Sequence, residues 1–595
     1  MAKSTRRPAS RTRTASLRGS QTGGGSSTDV PTRPWTVLAQ DPSITDAHGN
    51  ALTTTVDLPA ERLERGPKGH RVHVVDYDAS TDRVYAPRTT DVERDHYSRV
   101  RDVDRLVRDP WFHQQNVYAL VMSTLFRFER ALGRPAEWAF RDSHQIKVAP
   151  HAYQDANAAY SRESESIGFG YFPDAADGRR IFTCLSHDIV VHETTHALLD
   201  GLRSGYLKPS SPDQAGFHEG FADIVALLSV FSHRVVVEQA SGKLANADGR
   251  IPASKLTLAS IGSTALAQLG EQMGAAMEGV PGTALRHSIG IHPDRRLYTS
   301  AKYAEEHDRG ELLVAIVMRA FVLIWVARLQ PLLQSYRSSL ATSVVAEEGS
   351  TAAGNLLNIV IRAIDYMPPI DMTYPDYVSA LLTADQELYP DDSTYHYREI
   401  LRREFERFGI SPASGLRAGG TWDPPKADGL SYAGMHFDRI QRDPGTVFRF
   451  VWENRTVLDI FPDALTRVTS VRPVIRISRD GTMLRETVAE YVQTRRVEAR
   501  ELKSLGIRKP SPMGPRQAIT LYGGGTLVFG EYGQLKFHIG TGVTSRKQTA
   551  RLQSLCDNGY FDETGDTSAT SSAARITRLH RNRALRPTPP PSEKW

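Results

Sequence analysis

Two histidines four residues apart, separated by Glu-Thr-Thr, form the stretch of this chain best suited to chemistry: His192-Glu193-Thr194-Thr195-His196. On a helix this spacing places both imidazoles on one face, where their nitrogens can converge on a single metal ion. Glu193 then lies about a quarter-turn away, beside the metal rather than on it. That position suits a general base acting on a water that a zinc ion has activated.

The surroundings supply the helices that such a site needs. Leu185-Ser186-His187-Asp188-Ile189-Val190-Val191 is an apolar lead-in, and Ala197-Leu198-Leu199 carries the pattern to a stop near Gly201. The pentapeptide therefore sits in mid-helix. After a loop rich in Pro, Ser and Asp, a second helical pattern begins near His218 and runs through Ile224-Val225-Ala226-Leu227-Leu228, with Glu219 and Asp223 one turn apart on it. His187 and His218 flank these positions and read as packing and hydrogen-bonding residues.

A His-Glu-x-x-His helix followed, about two dozen residues on, by a helix bearing Glu-x-x-x-Asp resembles the gluzincin metallopeptidases, in particular the thermolysin-like group, over roughly residues 110–410. The resemblance implies that His192, His196 and Glu219 are the ligands of one zinc per chain and that Glu193 is the general base. It makes Asp223 the carboxylate that orients the first ligand histidine, as a metal-binding imidazole usually donates its other N–H. Asn157 and Ala158, followed by Ile167-Gly168-Phe169-Gly170, resemble the segment and edge strand along which these enzymes lay an extended peptide. His307, in Glu305-Glu306-His307-Asp308, matches the place of a histidine that stabilises the tetrahedral intermediate, with Glu305 or Glu306 to orient it. Arg286 is the candidate to hold a substrate carbonyl, and Tyr206 the candidate second oxyanion donor. The acidic calcium loops of many such enzymes have no obvious counterpart, so no calcium requirement is carried over.

Composition frames these elements. A chain of 595 residues with 40% hydrophobic content can build several sizeable cores. Cys184 and Cys556 are too few for a disulfide framework. Residues 1–30 are basic, polar and without an apolar signal core, and read as a disordered tail; the arginines of 561–595, before a Pro run, repeat the theme. Such tails could contact nucleic acid or another acidic partner, but no aromatics interleave with the charges, which favours a solubilising role. Leu312 to Ala327, apolar except for Arg319, is short for a bilayer and reads as a core helix. No membrane association is expected, and the cytoplasm is the expected location.

The fold expected is α+β: a two-lobed thermolysin-like catalytic unit with a small C-terminal α+β accessory domain. Residues 31–105 form an N-terminal segment, propeptide-like or structural, and 106–200 a β-rich lobe carrying the active-site helix. Residues 201–411 form a helical lobe that completes the site, and 412–446 a linker. Residues 447–560 form the accessory domain, with hairpins around Asp480-Gly481 and Tyr532-Gly533. Gly523-Gly524-Gly525 lacks the Lys-Ser/Thr ending of a phosphate loop and reads as a turn leading into a strand. The function expected is a zinc metalloendopeptidase acting on peptide or protein. The alternative is a metal-containing peptide-binding or regulatory protein with little turnover, against which an intact Glu193 argues.

Overall fold

A computed structural model describes residues 31–88, 95–140, 143–174, 178–208, 210–263, 288, 291–336, 338–413, 419–425, 429–477 and 483–561. The class is mixed α+β. The N-terminal segment opens with a hairpin, β1 (Thr32–Leu38) against β2 (Thr53–Pro59), whose Trp35, Val37 and Leu38 enter the main core. It lies on α2 (Pro110–Leu132), which a short helix, α1 (Val103–Arg108), precedes. Asp109 caps α2 through Trp111 N–H, Pro110 takes its first turn, and Gly133 ends it in the left-handed region at φ 70°.

A five-stranded sheet follows. Its order is β3 (Val72–Val74), β6 (Ile146–Tyr153), β8 (Ser166–Pro173), β7 (Ala158–Ser161), with β9 (Arg180–Phe182) also on β8. β3, β6 and β8 run parallel, while β7 pairs antiparallel with β8 and forms an edge. A small hairpin, β4 (Tyr77–Asp78) with β5 (Arg83–Val84), stands beside it.

The motif helix α3 (His187–Leu202) comes next and is buried along nearly its whole length. A helix so enclosed must satisfy its polar groups internally. Thr194 and Thr195 accordingly donate their hydroxyls to Val190 O and Val191 O at 2.6 and 2.7 Å. α4 (Pro212–Phe231), capped by Ser211, packs along α3; it begins before His218, which lies in mid-helix rather than at the start. After α5 (Arg234–Gly242) and α6 (Leu258–Ile261), α7 (Glu306–Tyr336) crosses α4. At 31 residues α7 is longer than the apolar run suggested, and by length and composition it could cross a membrane, but 72% of its apolar window is buried inside the fold. A two-stranded pair, β10 (Arg250–Pro252) with β11 (Ser339–Ala341), leads to α8 (Thr342–Ala363), α9 (Tyr374–Leu388) and α10 (Tyr397–Arg407).

The C-terminal part holds α11 (Phe437–Ile440), α12 (Pro444–Glu453), α13 (Lys547–Asp557) and an antiparallel sheet, β12 (Leu465–Ile477), β13 (Met483–Glu498), β14 (Ala518–Phe529), β15 (Leu535–Thr541). Gly523-Gly524-Gly525 is not a turn but the middle of β14. Its glycines allow contact with neighbouring chain: a Cβ on Gly524 would collide with Tyr491 O, and one on Gly523 would meet Val543 N at 2.7 Å. Two small clusters of its own hold this part, yet Val474, Val488, Val528, Phe537 and Ile539 join the main core. Charges cross the same boundary: Arg203 pairs with Glu490, Arg362 with Glu486, and Lys536 lies 2.5 Å from Glu387, while within the sheet Glu486 also meets Arg476 and Lys536.

Candidate metal centre

α3 and α4 bring His192, His196 and Glu219 together, all buried, with one ligand atom of each within 4.8 Å of the others. The two Nε2 atoms lie 2.9 Å apart. Glu219 Oε2 is 3.8 Å from His192 Nε2, and its Oε1 is 3.6 Å from His196 Nε2. The outer nitrogens are held as well. His192 Nδ1 is 2.8 Å from Asp223 Oδ1, and His196 Nδ1 is 2.7 Å from His218 Nδ1, with the two rings stacked. A carboxylate can only accept from neutral His192, so the inner nitrogen keeps its lone pair for a cation. This donor set, two imidazoles and a carboxylate in a dry setting, fits zinc. Burial alone would lower the pKa of His192, but Asp223, with Glu193 and Glu219, more than offsets it and leaves the value raised. The site is thus electron-rich, as a cation site should be.

Glu193 points to the sheet. Its Oε2 accepts the backbone N–H of Tyr160 at 2.8 Å, so the edge strand β7 is tied directly to this carboxylate. Asn157 and Ala158 lead into that strand: Asn157 Oδ1 accepts from Ala158 N–H, and Asn157 O accepts from Gly170 N–H. Tyr160 also donates its hydroxyl to Asp200, one turn beyond the motif on α3, fixing strand against helix at a second point.

His307 stands at the start of α7, buried, with Nδ1 2.8 Å from Glu305 Oε1 and its backbone N–H on Glu305 Oε2. Glu305 is therefore the acid that holds it, while Glu306 Oε1 accepts from Tyr560. Its approach to α4 depends on small residues. A Cβ at Gly220 would lie 2.8 Å from Gly310 O, and one at Gly310 would lie 3.4 Å from Glu219 Cβ. The buried Arg309–Asp213 pair at 2.7 Å clamps the same crossing, with Tyr374 N–H also on Asp213. Gly220→Ala should therefore push α7 away from Glu219, costing about 1–3 kcal/mol by overpacking. Thermal denaturation checks this; an unshifted Tm would mean the crossing has slack.

Tyr206 is elsewhere engaged: it is buried and donates its hydroxyl to Pro368 O at 2.7 Å, which takes away the free donor that an oxyanion contact requires. Arg286 lies outside the described residues. His187 packs as expected, but its hydrogen bonds are long-range and not local: they join it to Leu38 O in the N-terminal segment and Ser229 Oγ on α4. The partner of His196, His218, was readable only as a neighbour, because its contact depends on how α4 is turned against α3.

At the start of α3, Asp188 is buried beside Asp41 and bonds Ser186 Oγ at 2.6 Å. Burial, against the Ser186 hydrogen bond and reinforced by Asp41, raises its pKa from 3.8 to about 6. The folded state thus keeps a proton that the unfolded chain releases, and this contribution to stability is lost as pH rises from 3.8 through about 6. Asp188→Asn should flatten that part of the stability profile in denaturant titrations at several pH values. An unchanged slope would place the proton elsewhere.

No family model matches the chain, and no curated protein matches it.

Proposed function

We propose that this chain is a zinc-dependent metalloendopeptidase. The observation that carries the reading is the convergence of His192, His196 and Glu219 on one point, with Glu193 held between that point and an edge strand. Zinc bound there would polarise a peptide carbonyl and make a water acidic enough to attack it. Glu193 takes the proton from that water and passes it to the leaving amine. An extended peptide aligns along β7, receiving main-chain hydrogen bonds in the manner of an added strand. His307, with Nδ1–H on Glu305, acts as an imidazolium and donates a hydrogen bond from Nε2 to the carbonyl oxygen as charge builds on it. In this reading the sheet-bearing part and the helical part are the two sides of a thermolysin-like cleft.

Two measurements test the reading. Incubated with a peptide library made from a whole proteome, the purified protein should cleave peptides, and a chelator should stop it; mass spectrometry reads both. Peptides retained but left intact would favour the binding-protein alternative. His307→Ala should lower kcat by roughly a hundredfold with KM and zinc content little changed, because its contact strengthens only in the transition state. Unchanged kcat with a lowered Tm would make His307 a structural residue.

A further inference from the structure

A second cluster lies among the described residues at the other end of the lead-in to α3. His113 on α2, His151 on β6 and Cys184 in the turn Thr183–Leu185 are all buried, with one ligand atom of each within 4.8 Å of the others. The outer nitrogen of each histidine is committed. His113 Nε2 is 2.9 Å from Val107 O, and a carbonyl can only accept, so Nε2 carries the hydrogen. His151 Nδ1 is 2.8 Å from Asp76 Oδ1, while Asp76 Oδ2 accepts from Gln114 at 2.8 Å. The inner nitrogens, His113 Nδ1 and His151 Nε2, then face each other at 2.7 Å. In the neutral rings both are lone pairs, and something positive must lie between them.

A shared proton would serve the two imidazoles but would leave the converging thiol without a purpose. A cation serves all three atoms. We propose that His113, His151 and Cys184 bind a second zinc-class divalent ion, with Asp76 holding the His151 ring in place. Two imidazole nitrogens and a sulfur select a borderline-soft metal over magnesium or calcium. To accept it the two nitrogens would part to roughly 3.3 Å, the separation set by tetrahedral angles at normal zinc–nitrogen lengths. Tyr85 and Phe182 pack on the imidazoles and keep the site dry. Metal binding would release the Cys184 proton and hold the sulfur as thiolate.

The ion's place indicates its work. Cys184 lies three residues before the start of α3, and its carbonyl already accepts from Asn116 of α2 at 3.0 Å. An ion here ties β6, α2 and the start of the helix that carries His192, Glu193 and His196. Held by three protein atoms, with the fourth tetrahedral position left for water, the ion fixes the motif-bearing helix from behind.

Replacement of the bound metal by cobalt(II) tests this, since a thiolate–cobalt bond gives a near-ultraviolet charge-transfer band that imidazole and carboxylate ligands do not. The band should appear in the wild-type chain, persist in His196→Ala, and vanish in Cys184→Ser along with about one metal equivalent. The chain has two cysteines, so if Cys184→Ser does not fold, persistence of the band in Cys556→Ser assigns it to Cys184. A wild-type chain without the band, or a band lost in Cys556→Ser, overturns the proposal. Retention of the band in His196→Ala keeps this outcome separate from that of the peptidase site.

Discussion

Glu193→Gln is expected to lower peptidase activity by roughly two to four orders of magnitude, the usual loss when a general base is removed. The fold should survive, because the amide oxygen of glutamine can still accept the Tyr160 N–H that the carboxylate accepts now. Zinc should survive too, since Glu193 is outside the converging trio of His192, His196 and Glu219. Metal analysis and rate measurements on one preparation separate the possibilities. Loss of zinc together with activity would make Glu193 a ligand, and full activity would end its role as base.

His196→Ala should have the larger consequence. The imidazole is fully buried, faces His192 and Glu219 with Nε2, and is held at Nδ1 by His218. Its removal takes one of three ligands and leaves His218 without that contact. About one zinc equivalent should leave and cleavage should fall to background, because both the polarised carbonyl and the acidic water depend on the ion. Equal zinc in variant and wild type would refute the ligand set.

Much of this centre was legible because it is local. The four-residue step from His192 to His196, and the four-residue step from Glu219 to Asp223, are helix periods, and each helix announces itself by its apolar pattern. The pair of strands around Tyr532-Gly533, β14 and β15, was legible because a short local turn joins them. What depends on tertiary contact was not. Tyr206 had a plausible spacing from His196, yet the three residues Ser204-Gly205-Tyr206 turn it toward Pro368. His113, His151 and Cys184 come from a helix, a strand and a turn, so no spacing joins them. The glycines of β14 looked like a turn because nothing in sequence tells that another strand's backbone lies against them.

The charges that join the C-terminal sheet to the rest bear on how the chain can be divided. Arg203 and Arg362 belong to the part of the chain before residue 411, and both are buried, while the carboxylates that face them, Glu490 and Glu486, belong to the sheet. A fragment ending near residue 411 would take Glu490 and Glu486 away from these guanidinium groups, together with Val474, Val488, Val528, Phe537 and Ile539, which the sheet places in the main core. Arg203 closes the very helix on which the metal motif sits. Loss of peptide cleavage in a truncated chain would therefore report a disturbed core beside the metal motif, and the smallest unit worth assaying extends through β15.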